Sequence, residues 1–186
     1  MNLNKFFYHL SGYMKGRIIS GPNSEPYLER YLVCRFGRHA VFLHRFLGSD
    51  PDKGLHDHPW KQSVSLIVAG HYLEKRLIRR NDQLWVRIKK FGVGCLNFIN
   101  KNDFHQIVLP FGCCAWTLFY HGERIKGWGF AVNKQAALNE EGCFGDSKYE
   151  LVQDSDGEAN SPWEKSAARG RFLKGRMSED FCFKKR

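Results

Sequence analysis

A chain of 186 residues with 42% hydrophobic and 15% aromatic residues is long enough to bury a core and too apolar to stay disordered. It holds no apolar run of bilayer length, and its start, Met1 to Phe7, is too soon interrupted by polar residues for a signal peptide, so a cytoplasmic protein with no membrane partner is expected. The formal net charge of +10 is unevenly spread: residues 1–50 carry +4, residues 51–132 carry +6, and residues 133–186 sum to zero. The excess favours an anionic partner, in first place a small anionic substrate; nucleic acid is a lesser candidate and a simply solvated basic face the alternative.

Residues 1–26 read as a lead-in punctuated by Gly12, Gly16, Gly21-Pro22 and Asn23-Ser24, with one short strand at Arg17–Ser20. Tyr27–Phe36 reads as a strand, and Gly37-Arg38 as a turn. In Ala40–Leu47 the residues Val41, Leu43, Arg45 and Leu47 share one side, and Phe42, His44 and Phe46 the other, which is strand periodicity. Gly48 to Gly54 is a loop by composition. His56–Trp60, Val64–Ala69, a turn at Gly70, Tyr72–Ile78, Leu84–Ile88, Phe91–Phe98, Phe104–Leu109, Cys114–Tyr120 and Ile125–Val132 follow. Roughly ten short strands with no helix between them predict an antiparallel sandwich or barrel. Tyr27–Phe36 is the expected edge, through which a homodimer could form.

Beyond Asn133 the composition changes. Residues 139–158 hold seven acids and one base, and residues 165–186 eight bases and two acids. Ala136–Glu141 suits a short helix and Asp154–Pro162 a linker. The final stretch reads as a solvated tail, with Trp163, Phe172 and Phe181 as potential anchors. The six cysteines show no regular frame, so reduced thiols are expected.

The chemistry centres on His56-Asp57-His58. Histidines at i and i+2 of a strand project to one face, and neutral imidazole is the commonest protein metal ligand. Asp57 then points the other way and is expected to be structural. Two legs of a metal site need a third, which the local sequence does not supply.

The third comes with a resemblance. The cupin superfamily opens its first motif with a glycine and His-x-His, then a glutamate four or five residues later and a closing glycine. Its second motif is G-(x)5-P-x-G-x-x-H. Gly54, His56, His58 and Gly70 fit the first, with Gln62 and Ser63 in the places of the glutamate; Gly94, Asn100, Asn102 and His105 keep the spacing of the second, with asparagines for the proline and inner glycine. The wording His-Asp-His-Pro-Trp, with Trp116–Phe119 and Trp128–Phe130, is also similar to small uncharacterised cupins of bacteria and phages.

The resemblance implies an all-β fold, a cupin double-stranded β-helix (jelly-roll barrel), over 27–132, after the 1–26 lead-in and before the charged 133–186 extension. It implies one divalent metal ion on His56, His58 and His105, with Fe(II) favoured and zinc, nickel or manganese compatible. The three-histidine set is similar to that of the thiol dioxygenases, although Trp116 and Leu118 stand where those enzymes carry serine and histidine. A non-haem iron dioxygenase acting on a small anionic organic substrate is thus the leading expectation. The alternatives are a metal-dependent isomerase or hydrolase and a non-catalytic binding module.

Around these ligands, Arg45 and Arg76 are the arginines expected to bind a substrate carboxylate or phosphate, with His44 in the pocket or core beside them. Glu74 is expected as a fourth ligand, as a general base with its pKa raised by burial, or as the ion-pair partner of Arg76. Tyr120 would donate a proton or orient oxygen, or else pack in the sheet.

Overall fold

The computed structural model describes residues 2–21, 23–51, 54–81, 83–133, 149–153 and 163–181. The chain opens with a helix, α1 (Leu3–Ser11), where a lead-in without helix is expected from sequence. Asn2 caps it, its side-chain oxygen accepting from Asn4 N at 2.9 Å. Phe7 and Tyr8 pack against a buried cluster of Tyr31, Leu43, Ala69 and Trp116.

Eleven strands are described: β1 (Gly16–Ser20), β2 (Pro26–Phe36), β3 (His39–Phe46), β4 (Leu55–His56), β5 (Gln62–Arg80), β6 (Gln83–Gly92), β7 (Leu96–Asn100), β8 (His105–Val108), β9 (Ala115–His121), β10 (Gly129–Asn133) and β11 (Tyr149–Gln153). All the pairings between them are antiparallel. They form a curled sheet with two faces, β1-β2-β3-β9-β5-β7 and β11-β10-β4-β8-β5-β6.

β5 belongs to both faces. The turn expected at Gly70 is instead a bend inside one long strand. Gln62–Gly70 pairs with β7 and β9, and the strand beyond pairs with β6 and β8. The register against β9 slips between Ile67 and Ala69, and Gly70 takes φ +70°. A Cβ at Gly70 would lie 1.9 Å from the Cys114 carbonyl oxygen, so no side chain fits there.

Two apolar layers flank the first face. Leu28, Phe46, Ile67, Tyr72, Phe91, Ile107 and Ala115 fill the space between the faces. Tyr31, Leu43, Ala69 and Trp116 fill the outside, under α1. Alternate residues of β3 therefore point into two buried regions, not one buried and one wet.

The last described segment is docked, which corrects the expected solvated tail. A short helix, α2 (Trp163–Ser166), leads to a single 3₁₀ turn at Gly170–Phe172. Gly16 N donates to Ala168 O at 3.0 Å, Gly170 N to Met14 O at 2.7 Å and Arg171 N to Gly12 O at 3.0 Å. The Arg176 guanidinium lies 3.9 Å over the Tyr8 ring, and its Nε donates to Tyr31 OH at 3.0 Å. Gly170 and Arg176 are the anchors; Phe172 stays 73% exposed.

β1 (Gly16–Ser20), from the expected lead-in, pairs with β2, and β11 (Tyr149–Gln153), from the expected extension, pairs with β10. β2 is not a sheet edge over Pro26–Tyr31, where β1 and β3 pair with it on either side. Cys34, Cys95 and Cys113 are free, but Cys114 is disulfide-bonded, against the expectation of reduced thiols throughout. The helix expected at Ala136–Glu141 and the linker at Asp154–Pro162 lie outside the described residues.

Candidate metal centre

On the second face, strand register sets Arg76 opposite His105, His105 opposite His56, and His56 opposite Phe130. β4 ends at His56, so His58 stands just beyond the strand. Asp57 holds it there: its N–H donates to Gly129 O at 2.9 Å, its Oδ1 accepts from Gly129 N at 2.8 Å, and its Oδ2 pairs with Lys126. With Asp57 tied outward, the rings of His56 and His58 stack, their centroids 5.7 Å apart.

His56, His58 and His105 each offer a ring nitrogen within 4.8 Å of the other two. The Nε2 atoms of His58 and His105 lie 2.8 Å apart. Two imidazole nitrogens bound at adjacent positions of one ion, each about 2.1 Å from it, stand about 3 Å apart, so this spacing suits a shared ligand. Burial lowers the His56 pKa to about 3, with the neighbouring His105 adding to the effect and Glu74 opposing it. Burial, then His105 and His56, likewise push the His58 pKa well down. These two rings stay neutral, the state that binds a metal. The donor set fits a divalent ion.

Behind His105 stands Glu74, whose Oε1 is 3.0 Å from His105 Nδ1. Arg76 grips the same carboxylate with Nε at 3.0 Å and Nη2 at 2.8 Å, and Asn97 Nδ2 donates to Oε1 at 2.8 Å. Burial pushes the Glu74 pKa up, but the hydrogen bonds from His105, Arg76 and Asn97 outweigh it and bring it down to about 2. Glu74 is therefore a fixed carboxylate that orients His105. The general base with raised pKa is corrected, and so is Arg76 as a substrate ligand, since its fork is spent on Glu74, Asn97, Asp103 and Phe98 O.

Arg45 lies on the other side of β3, fully buried beneath α1. It faces Glu29 at 3.4 Å and donates to the carbonyls of Met177, Ser178 and Glu179. Tyr120 also points outward, its hydroxyl 2.8 Å from His39 Nδ1. Neither residue reaches the histidines.

The histidines open on a cavity of about 490 Å³ between the two faces. His44 lines it, as one of the alternatives for that residue allows. Phe46, Tyr72, Phe119, Trp128 and Phe130 make much of its wall. Three polar residues that sequence reasoning did not single out also line it: Arg17, Arg30 and Asp50. In the sequence Arg17 and Arg30 belong to stretches that read as strands, Arg17–Ser20 and Tyr27–Phe36, with no signal that turns either side chain inward. Asp50 N donates to Ile107 O at 2.9 Å while Ile107 N donates to Asp50 Oδ2 at 2.7 Å, which fixes the loop against β8.

A His-x-His next to β4 and a histidine heading β8 meet inside a double-faced antiparallel barrel. No family model and no curated protein sequence matches the chain. Among solved structures, the barrel is similar to hydroxypropylphosphonic acid epoxidase from S. wedmorenis at 12% identity and a TM-score of 0.44, over 57% of this chain and 55% of that one. It is similar to a sugar phosphate isomerase of the cupin superfamily from Silicibacter pomeroyi at 13% identity and 0.45, over 62% and 74%. A cupin superfamily protein from Desulfitobacterium hafniense matches at 11% and 0.38, over 52% and 77%. The chain thus spans just over half the length of the epoxidase. No chemistry is carried over from these likenesses. Among the described residues, no helix is long and apolar enough to cross a membrane.

Proposed function

We propose that this protein is a mononuclear metal-dependent cupin enzyme, most concretely a non-haem iron dioxygenase acting on a small anionic organic substrate. The observation that carries the reading is the convergence of His56, His58 and His105 within 4.8 Å at the wall of a cavity of about 490 Å³. These three residues would hold the ion. A divalent metal bound there would supply Lewis acidity. The chain's own contribution is positional: Glu74 orients His105, Asp57 sets the turn that presents His58, and Phe119 and Trp128 wall the site against water.

An isomerase or hydrolase on the same metal site is the second reading, and one observation favours it. Asp50 lines the cavity, and burial, partly offset by the Ile107 N–H, raises its pKa to about 6. That suits a proton carrier near neutral pH. In this reading Asp50 takes the part first given to Glu74.

Elemental analysis of the purified protein beside His56→Ala/His105→Ala tests the metal. Stoichiometric iron lost in the double variant, with oxygen consumed in the presence of substrate, is expected. Stoichiometric zinc, nickel or manganese without oxygen consumption moves the weight to the second reading, and no metal after reconstitution overturns both.

A further inference from the structure

The first face of the barrel carries a row of nitrogen bases that looks across the cavity at the histidines. Strand register places Arg17 of β1 opposite Arg30 of β2, and Arg30 opposite His44 of β3. All three line the cavity, as do His56, His58 and His105.

The row is also built. Arg30 Nε donates to His44 Nε2 at 3.0 Å, and the Arg30 guanidinium lies 5.3 Å over the Phe42 ring. His44 is 3% exposed and sandwiched between aromatic rings, the Phe119 ring stacking on it at 4.9 Å. Burial, then the charge of Arg30, holds the His44 pKa well below its ordinary value, so the ring stays a neutral acceptor that fixes the plane of the guanidinium. Among the described residues of the lining, Asp50 is the acidic one. The rest of the wall is mostly aromatic and aliphatic.

The geometry points to Arg17 and Arg30 as the anchor for a terminal oxyanion, phosphate or carboxylate, on a substrate whose apolar body lies among the aromatic wall residues and whose other end reaches the three histidines. His44 is a positioning residue for Arg30. This deepens the proposed function by naming the substrate class and rests on the same cavity, though not on the metal. A guanidinium presents a planar fork to either oxyanion, and a phosphate monoester, with its second charge, can engage both arginines at once.

Phenylphosphate and phenylacetate are the probes, with benzyl alcohol as the neutral control, titrated calorimetrically into the purified protein while metal content is read in parallel. Phenylphosphate or phenylacetate, whichever is the better oxyanion, is expected to bind one to one, at least tenfold more tightly than benzyl alcohol, and to be displaced by inorganic phosphate. Arg17→Gln and Arg30→Gln are each expected to weaken that binding at least tenfold, with wild-type metal content and melting temperature. The comparison with benzyl alcohol needs no variant, so it decides even if a substitution impairs folding. The inference is overturned if neither anion binds at millimolar concentration, if benzyl alcohol binds as well as they do, or if both glutamine variants bind like wild type. Anion binding through the arginines in a protein that takes up no metal would overturn the proposed metalloenzyme and leave this anchor standing. Metal uptake with no anion preference would do the reverse.

Discussion

Two buried carboxylate–guanidinium pairs lie on opposite sides of the barrel wall, and they do different work. Glu29 and Arg45 face each other across β2 and β3 in the outer layer, both fully buried. Besides Tyr31 OH, which donates to Glu29 Oε2 at 2.7 Å, and the Tyr8 and Trp116 rings under Arg45, they hold the docked segment: Glu29 Oε1 accepts from Met177 N at 2.8 Å, and Arg45 reaches the carbonyls of 177–179. Glu74 and Arg76 sit two apart on β5; Glu74 also meets His105 and Asn97, and Arg76 also meets Asn97, Asp103 and Phe98 O. The same chemistry fastens a chain segment in one place and aims a candidate metal ligand in the other. What decides is the third partner, not the pair.

The sharpest way to break this contrast is to remove one arginine. Arg45→Ala leaves Glu29 buried without its cation, and is expected to cost about 3–5 kcal/mol of stability, read by denaturant unfolding. Metal bound per folded molecule should not change; a loss of metal would mean that the outer pair also serves the site. Glu74→Gln is expected to cost less stability but to weaken metal binding about 10–100-fold, measured by competition with a chelator, because His105 exchanges a charged carboxylate acceptor for a neutral amide. Unchanged affinity would reduce Glu74 to a packing residue.

Acid titration sharpens the comparison from another side. The folded-state pKa of Asp50, about 6, lies above its ordinary 3.8. The folded protein therefore holds that proton more tightly than the unfolded chain, and Asp50 makes stability fall as pH rises from about 4 to about 6, then level off. Asp50→Asn should remove that component; an unchanged slope would show that the carboxyl is not held as described. The smallest effect is expected for Tyr120→Phe, which loses one half-buried hydrogen bond to His39, costs about 1 kcal/mol or less, and leaves metal and anion binding intact.

The pair His56 and His58 is legible in its i, i+2 spacing, whereas His105 comes only with the resemblance to the cupin motif that begins at Gly94. The arginines are legible in neither way. Period two correctly separates Arg45 from His44 on β3, so the two could never have served one pocket. It does not say which side is the cavity when both sides are buried, and here α1 covers the outer one. The α1 helix itself was hidden by the glycines that follow it. A glycine at position 70 predicts a turn, yet strand pairing continues through it on both sides. Whether such a residue ends a strand or bends it depends on partners, β6 to β9, that come later in the chain. Glu74 was correctly paired with Arg76 as one of its alternatives, but its bond to His105 follows from the β5–β8 register, which no local signal encodes.

The dual membership of β5 also bears on how the protein assembles. Its first half needs β9 and its second half needs β8, while β3 must wait for β9 some seventy residues later. Contacts so distant in sequence make folding slow, because loop closure is spent before pairing returns anything. His58 and His105 are brought together only when β4 has docked on β8. A metal ion supplied during refolding should therefore leave the early, collapse-limited phase untouched and act on the last step, as a latch on a barrel already closed.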